Sequence, residues 1–374
     1  MKIGILTQPL HNNYGGLLQA YALQCFLAKQ GHDVFTIDFS KISKPRFGGI
    51  KGIVKNSVKK YVLKHDIKSV LPLKEEEKRK ISQHTNRFIS ENIRRTQSIT
   101  NLGEFSFLEP YNFDAFIVGS DQVWRPSYSP GMPAFFLDFL LDDKKTKRIA
   151  YAASFGVDHC DEYTKDELTS YSCLAKLFDA IGVREDSAIE LCDKYFGVKA
   201  THVLDPTFLL DKDDYVTLIN KDKTQPINGN LMVYILDPQE EKSKIIKKIE
   251  KSYNLTSYNF MENNTLGIYQ PVTQWLRGFM DSEFVVTDSF HGVVFSIIFN
   301  KPFIAIGNSS RGLTRFISLL KLFNLESQLI SSVDELRKAS KKIDMDAVKK
   351  IKKNNKDIST EFLLSCLNGT TSNV

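Results

Sequence analysis

The feature that most constrains this chain is a recurring unit: a short apolar run that ends in small or polar residues and is followed by a helical pattern. Ala115-Phe116-Ile117-Val118 leads into Gly119-Ser120-Asp121, and Ile149-Ala150-Tyr151-Ala152-Ala153 into Ser154-Phe155-Gly156. Ala180-Ile181-Gly182-Val183 precedes Arg184-Glu185-Asp186, and His202-Val203-Leu204 precedes Asp205-Pro206. Helical patterns separate the runs, for instance Glu162 to Leu177 and Ser187 to Tyr195. A strand that is apolar along its whole length needs cover on both faces, and alternating helices supply it. The pattern predicts an α/β fold with parallel, doubly wound sheets.

The first residues follow the same logic. Lys2 to Thr7 reads as a strand, and Gln8 to Gly16 as a loop punctuated by Pro, Asn and Gly. Leu17, Leu18, Tyr21, Ala22, Cys25 and Phe26 then recur at helical spacing. Gly31 is placed to end that helix, and Val34 to Ile37 makes the next strand of a βαβ crossover. A polar, turn-rich stretch from Asn220 to Asn230 interrupts the alternation and marks the joint. A second α/β set follows, with strands at Leu231 to Leu236, Phe284 to Thr287 and Phe303 to Ile306 and helices at Gln239 to Tyr253 and His291 to Phe299. We therefore expect two Rossmann-like domains facing a cleft: residues 1–220 and 231–332, with helices in 333–374 packing back on the first.

Composition narrows the functional classes. With 374 residues, 42% hydrophobic and 25% charged, the chain can bury a sizeable core as a soluble globular protein. Its five cysteines are scattered without a CxxC pair, so neither a disulfide framework nor a zinc site is expected, and a reducing cytoplasm fits. The uncharged run from Ile3 to Ala28 is cut by Gln8, Pro9, His11, Asn12, Asn13, Gly15 and Gly16, so it reads as neither export signal nor membrane span. The net charge is +6, and it is concentrated. Between Lys41 and Lys68 stand nine basic residues against one acid, Asp66. A nucleic-acid binder would spread such charge over a face and interleave aromatics, so no nucleic-acid partner is expected. The segment reads either as a solvated helix or as a contact with one anionic surface, such as the inner face of a membrane.

Ligands of open α/β sheets sit outside the carboxyl ends of the strands, which selects a few places. The first is Asn12-Asn13-Tyr14-Gly15-Gly16, where a helix start can meet an anion or a sugar hydroxyl, or where the chain simply turns tightly. At Gly119-Ser120-Asp121-Gln122-Val123-Trp124-Arg125, Asp121 and Trp124 suit sugar recognition, with an N-cap and a core tryptophan as the alternative. Arg184 at a strand end is a fork for carboxylate or phosphate, unless it pairs with Glu185 or Asp186. Asp288-Ser289-Phe290-His291-Gly292 delivers a histidine to the start of an apolar helix, where acid/base chemistry competes with a structural role. Arg311 and Arg315 follow the next strand and can reach the same cleft.

Taken together, these segments resemble the polysaccharide pyruvyl transferase family. The resemblance rests on Asn13-Tyr14-Gly15-Gly16 with Leu18-Gln19-Ala20-Tyr21-Ala22-Leu23, Gly119 to Trp124, Tyr151 to Gly156, Val183 to Ser187, Leu204 to Thr207, Asp288 to Gly292 and Arg311 to Leu320, in that order. It implies a two-domain, GT-B-like fold and transfer of a pyruvyl group from phosphoenolpyruvate to two hydroxyls of a sugar, with release of phosphate. No metal and no cofactor beyond phosphoenolpyruvate as co-substrate are implied. It gives His291 the role of general acid/base and Arg184 that of a donor-binding arginine. Some members carry an arginine two residues before this histidine. Here Ser289 stands in that place, and Arg311 or Arg125 is expected to substitute. Asn13, Tyr14, Gly15, Gly16, Gln19, Asp121 and Trp124 are the expected acceptor-binding set. The acceptor is read as a surface-polysaccharide precursor, lipid-pyrophosphate-linked if the basic segment holds the enzyme at a membrane. The competing readings are a nucleotide-sugar glycosyltransferase of the same architecture and a non-catalytic sugar-binding protein.

Overall fold

The computed structural model describes residues 1–40, 75–129, 131–261, 267–307, 312–337, 339 and 343–369. Two sheets organise them. The first runs β2-β1-β3-β4-β5-β6, with β1 at Lys2–Leu6, β2 at Asp33–Thr36, β3 at Ala115–Val118, β4 at Lys147–Ala153, β5 at Ala180–Val183 and β6 at Thr201–His202. The second runs β11-β10-β9-β7-β8, with β7 at Leu231–Tyr234, β8 at Ser257–Asn259, β9 at Phe284–Thr287, β10 at Phe303–Ile306 and β11 at Leu329–Ile330. All the pairings of these strands are parallel.

The α-helices of the first half are α1 (Tyr14–Lys29), α2 (Glu75–Ile81), α3 (Gln83–Asn92), α4 (Lys165–Ala175), α5 (Ser187–Leu191) and α6 (Lys212–Lys221). Those of the second are α7 (Glu240–Tyr253), α8 (Val272–Asp281), α9 (Phe290–Ile298), α10 (Thr314–Leu322) and α11 (Met345–Asn368). Burial follows the apolar pattern. Strands β3, β7, β9 and β10 are buried at each residue, as strands covered on both faces must be. Helix α9 is buried along its whole length, as expected of a helix that is apolar all round. Helix α7 is amphipathic and buries Ile245 and Ile249, four residues apart on one face.

Chain order places the site. From β1 the chain moves to β2 on one side, then returns to β3 on the other; from β7 it moves to β8, then returns to β9. Each sheet therefore has a switch point, with Leu6 beside Val118 in one and Tyr234 beside Thr287 in the other. Loops that leave these strand ends diverge and open a crevice.

Three local details depart from the sequence pattern. The apolar run His202 to Leu204 leaves the sheet early: Val203 N–H still reaches Val183 O at 2.9 Å, but Leu204 N–H donates to Ser359 Oγ. The helix expected at Ser187 to Tyr195 changes from α to π winding at Cys192–Phe196. The edge strands β8 and β11 have only three and two residues, too short to show a period. The basic segment 41–68 lies outside the described residues. No helix among those described is long and apolar enough to cross a membrane.

Helix α11 lies against the first sheet. Lys147 Nζ donates to Cys366 O at 2.9 Å, and Lys356 Nζ pairs with Asp211 at 2.7 Å. Its Phe362 ring packs over Gly182 of β5, where an added Cβ would stand 2.8 Å from Phe362 and 3.0 Å from Val203. Gly182→Ala should therefore cost about 1–3 kcal/mol through overpacking. Urea unfolding should show the loss, and Phe362→Leu in the same chain should recover part of it.

Candidate functional site

The two switch points face each other across a cleft of about 550 Å³. The first sheet contributes Gln8 from the loop after β1 and Asp121 and Gln122 from the loop after β3. The second contributes Tyr234 and Leu236 after β7 and Asp288, Ser289, Phe290 and His291 after β9, joined by Arg315 of α10. Asn12, Asn13 and Tyr14 close one end, and Tyr128, Met261 and Tyr269 also line the walls.

His291 stands in the first turn of α9, behind Ser289, whose Oγ accepts from Gly292 N–H and caps the helix. The imidazole crosses to the first half of the molecule. Its Nε2 lies 3.4 Å from Asp205 Oδ2, within ion-pairing range but outside hydrogen-bond alignment. Its Nδ1 side lies against Gly15 so closely that a Cβ at position 15 would overlap the ring. Gly15 is thus required by the histidine's approach.

Arg184 lies beneath this histidine. Its Nη1 donates to Asp205 Oδ2 at 3.0 Å and its Nη2 to Asp121 Oδ1 at 3.1 Å, while its guanidinium stacks 4.7 Å from the centre of the Phe290 ring. The side chain is 1% exposed and does not line the cleft. The expected direct contact with a donor is therefore replaced by a carboxylate–guanidinium–carboxylate bridge. Nor are the partners the neighbouring acids. Glu185 Oε1 instead accepts from Ser154 Oγ, Phe155 N–H and Gly156 N–H, and Asp186 N–H donates to Ser318 Oγ of α10.

Burial pushes both carboxyls up, but their neighbours outweigh it. Asp205 is held well below the usual carboxylate range by His291 and Arg184, and Asp121 is lowered by Arg184, His291 and Arg315. Arg315 is pushed down to about 10, by burial first and by Arg184 second. Asp121 also adopts φ +73°, a left-handed conformation that a non-glycine residue holds only when its surroundings enforce it.

The remaining expected residues divide clearly. Asn13, Tyr14, Asp121, Ser289 and His291 line the cleft. Trp124 does not: it is fully buried, its indole N–H donates to Phe135 O at 3.0 Å, and its ring stacks on Phe136. The reading of Trp124 as a sugar platform gives way to a core tryptophan. Gln19 is also buried, tying the ends of β1 and β3 together through Thr7 Oγ1 and Ser120 N–H. Gly16 N–H donates to the Asn13 cap. Arg125 pairs with Glu162 at 2.9 Å and bonds Gln122 Oε1, standing behind the lining residues Gln122 and Tyr128 rather than in the cleft. Arg311 lies outside the described residues.

Sequence reasoning missed the aromatic wall. Tyr14 opens α1, yet its ring stacks on Trp275 of α8 with an interplanar angle of 3° and meets Phe260, Tyr234 and Tyr269. Tyr234, Phe260 and Trp275 cluster within the second half, and Tyr14 joins them only when the two sheets face each other. Asp288 was visible in the motif, but its setting was not: it accepts from Leu236 N–H, Asp237 N–H and the buried Lys242 Nζ, and so pins the loop after β7. Among the described residues no cluster of three or more His, Cys, Asp or Glu is arranged to hold a metal ion.

Two parallel sheets with a ligand cleft at their facing switch points define the GT-B-like class of α/β proteins. Two solved structures share this fold across nearly the whole chain: UDP-N-acetylglucosamine 2-epimerases from Neisseria meningitidis, bound to UDP-GlcNAc (TM-score 0.51, 10% identity, 98% of this chain and 100% of that one), and from Rickettsia bellii (TM-score 0.50, 10% identity, 100% and 99%). At that identity the likeness shows the fold alone. No curated protein matches the sequence. The family is set by a model that spans residues 13–310: the chain belongs to the polysaccharide pyruvyl transferases.

Two substitutions probe this geometry. Gly15→Ala should displace His291, and a misplacement of about 1 Å at a reacting group costs roughly 10²-fold in turnover. A fall in kcat together with a lowered melting temperature is the expected readout, since the overlap also costs about 1–3 kcal/mol through overpacking. Arg184→Met leaves Asp121 and Asp205 buried without their shared cation, which should cost about 3–5 kcal/mol at neutral pH. The pH dependence should then reverse. The wild-type carboxyls, held low, contribute stability above about pH 4 that is lost as pH falls further. In the variant, acidification should narrow the deficit, because protonation relieves the unpaired charges; urea unfolding at pH 7 and pH 4 measures both.

Proposed function

We propose that this transferase moves a pyruvyl group from phosphoenolpyruvate to two hydroxyls of a sugar in a surface-polysaccharide precursor. One observation carries the reading: in a member of this family, His291 stands inside the cleft at the amino end of α9. A helix start offers N–H groups to an anion, and a histidine ionises near neutrality, where protons must be delivered and taken.

The chemistry assigns work to each part. Phosphoenolpyruvate is a compact trianion, suited to the α9 terminus with Ser289 and to the Arg315 guanidinium, which lines the cleft beside Phe290. A proton goes to the methylene carbon, which becomes the methyl group. One sugar hydroxyl adds to the central carbon, the carbon–oxygen bond to phosphate breaks, and the second hydroxyl closes the cyclic ketal. Of the two hydroxyl protons, one balances the methyl group and the other leaves with phosphate. His291 is the group that shuttles them. Asn13, Asp121 and the tyrosines of the cleft wall, Tyr14, Tyr128, Tyr234 and Tyr269, form the acceptor side, where aromatic faces meet the CH faces of a pyranose and polar groups take its hydroxyls. A lipid-pyrophosphate-linked acceptor would bring the basic segment 41–68 to an anionic membrane surface at the cytoplasmic face.

The test is phosphate release from phosphoenolpyruvate with candidate sugar acceptors, read beside the mass of the ketal product. His291→Asn should lower turnover roughly 10²–10⁴-fold while the Kd for phosphoenolpyruvate and the melting temperature stay near wild type. Protection by a nucleotide sugar with no response to phosphoenolpyruvate would replace this reading with a glycosyltransferase, and no response to either would leave a non-catalytic sugar binder.

A further inference from the structure

We infer that Asp205 is the positioning residue for His291: a carboxylate from one half of the molecule sets the tautomer and orientation of the acid/base group carried by the other. The inference rests on the proposed proton role of His291 and extends it to a residue that does not line the cleft.

Four observations support it. The carboxylate lies 3.4 Å from His291 Nε2, and that nitrogen is buried without a hydrogen bond. Asp205 is itself held rigidly: its Oδ1 accepts from Thr207 N–H and Thr207 Oγ1, and its Oδ2 accepts from Arg184. It stays ionised in the interior, because His291 and Arg184 overcome the effect of burial. Finally, the Nδ1 edge of the ring packs against the Gly15 backbone, which fixes the ring's position, while Nδ1, unlike Nε2, is not fully buried. A carboxylate facing one imidazole nitrogen keeps the proton there and leaves the other nitrogen to exchange protons with substrate. Here that leaves Nδ1 as the working atom. A small rotation of the ring would turn the 3.4 Å approach into an aligned hydrogen bond, as catalytic bonds often tighten only once ligand is bound.

The other charged groups near this pair are Asp121, Arg184 and Arg315, with the buried phenols of Tyr151 and Tyr215 facing Asp205. Asp121 reaches Arg184 and Arg315 rather than the ring within ion-pairing range, so Asp205 is the carboxylate in position to orient it.

The experiment is a double-mutant cycle on the full chain with phosphoenolpyruvate and an active acceptor. Asp205→Asn alone should lower kcat by roughly 10²–10⁴-fold with KM for phosphoenolpyruvate within about threefold of wild type, as for a carboxylate that orients a catalytic histidine. In the His291→Asn background the same change should cost almost nothing further in kcat, although its effect on the melting temperature should persist. Equal losses in both backgrounds, or full activity of Asp205→Asn, would overturn the proposal and make Asp205 a purely structural anchor. A second measurement covers the case in which Asp205→Asn does not fold or the wild type does not turn over phosphoenolpyruvate. The ¹⁵N ring shifts of His291 in the ligand-free wild-type protein, at a pH where the ring is neutral, should show the Nε2–H tautomer. An Nδ1–H tautomer there would overturn the proposal whatever the substrate proves to be.

Discussion

The structure depends on one buried arginine. Arg184 at the end of β5 holds Asp121, which leaves β3, and Asp205, which leaves β6, and those two carboxylates create the negative ground on which His291 of the second half docks. Removing the arginine would leave two carboxylates buried without their shared cation, a costly outcome in a protein interior. The network fixes the relative placement of three loops and of the helix that carries His291.

Packing reinforces the same geometry from two sides. Tyr14 inserts into the aromatic cluster of the second half, stacking on Trp275 and donating its hydroxyl to Gln270 O at 3.0 Å. On the other side Asp186 bonds Ser318 and pairs with Lys321 at 3.4 Å, so the loop after β5 is tied to α10. The cleft thus lies between buried ion pairs on one side and an aromatic cluster on the other. The histidine sits where the two meet.

Most of the fold was legible because the signal was local and repeated. Each of the apolar runs at 115–118, 180–183, 284–287 and 303–306 became a strand with those same ends, and each reads on its own as a segment covered on both faces. The strands that escaped, β8 and β11, are held at sheet edges by neighbours. The site was legible only in part. His291 and Ser289 stood out because a polar cluster at the end of a buried strand has few structural uses. Trp124 stood out for the same reason and Gln19 through the family motif, and both proved to be internal, since motif residues packed behind a site look the same in sequence as those that face it. Asp205 lay within a recognised motif, Leu204 to Thr207, but nothing in it pointed to a contact with His291.

The sequence by itself determined the alternation of strand and helix, the α/β class and the family that these motifs mark. Those follow from hydrophobic period and turn chemistry, which act over a few residues. Only the tertiary structure decided which side of each loop faces the cleft, that Arg184 serves two carboxylates, that Gly15 is a glycine because His291 approaches it, and that Asp205 meets that histidine. These are contacts between residues up to 276 positions apart, Gly15 and His291 being the widest pair. Those to His291 form only when two sheets come together, those of Arg184 only when three strands of one sheet align, and no local pattern encodes such distances.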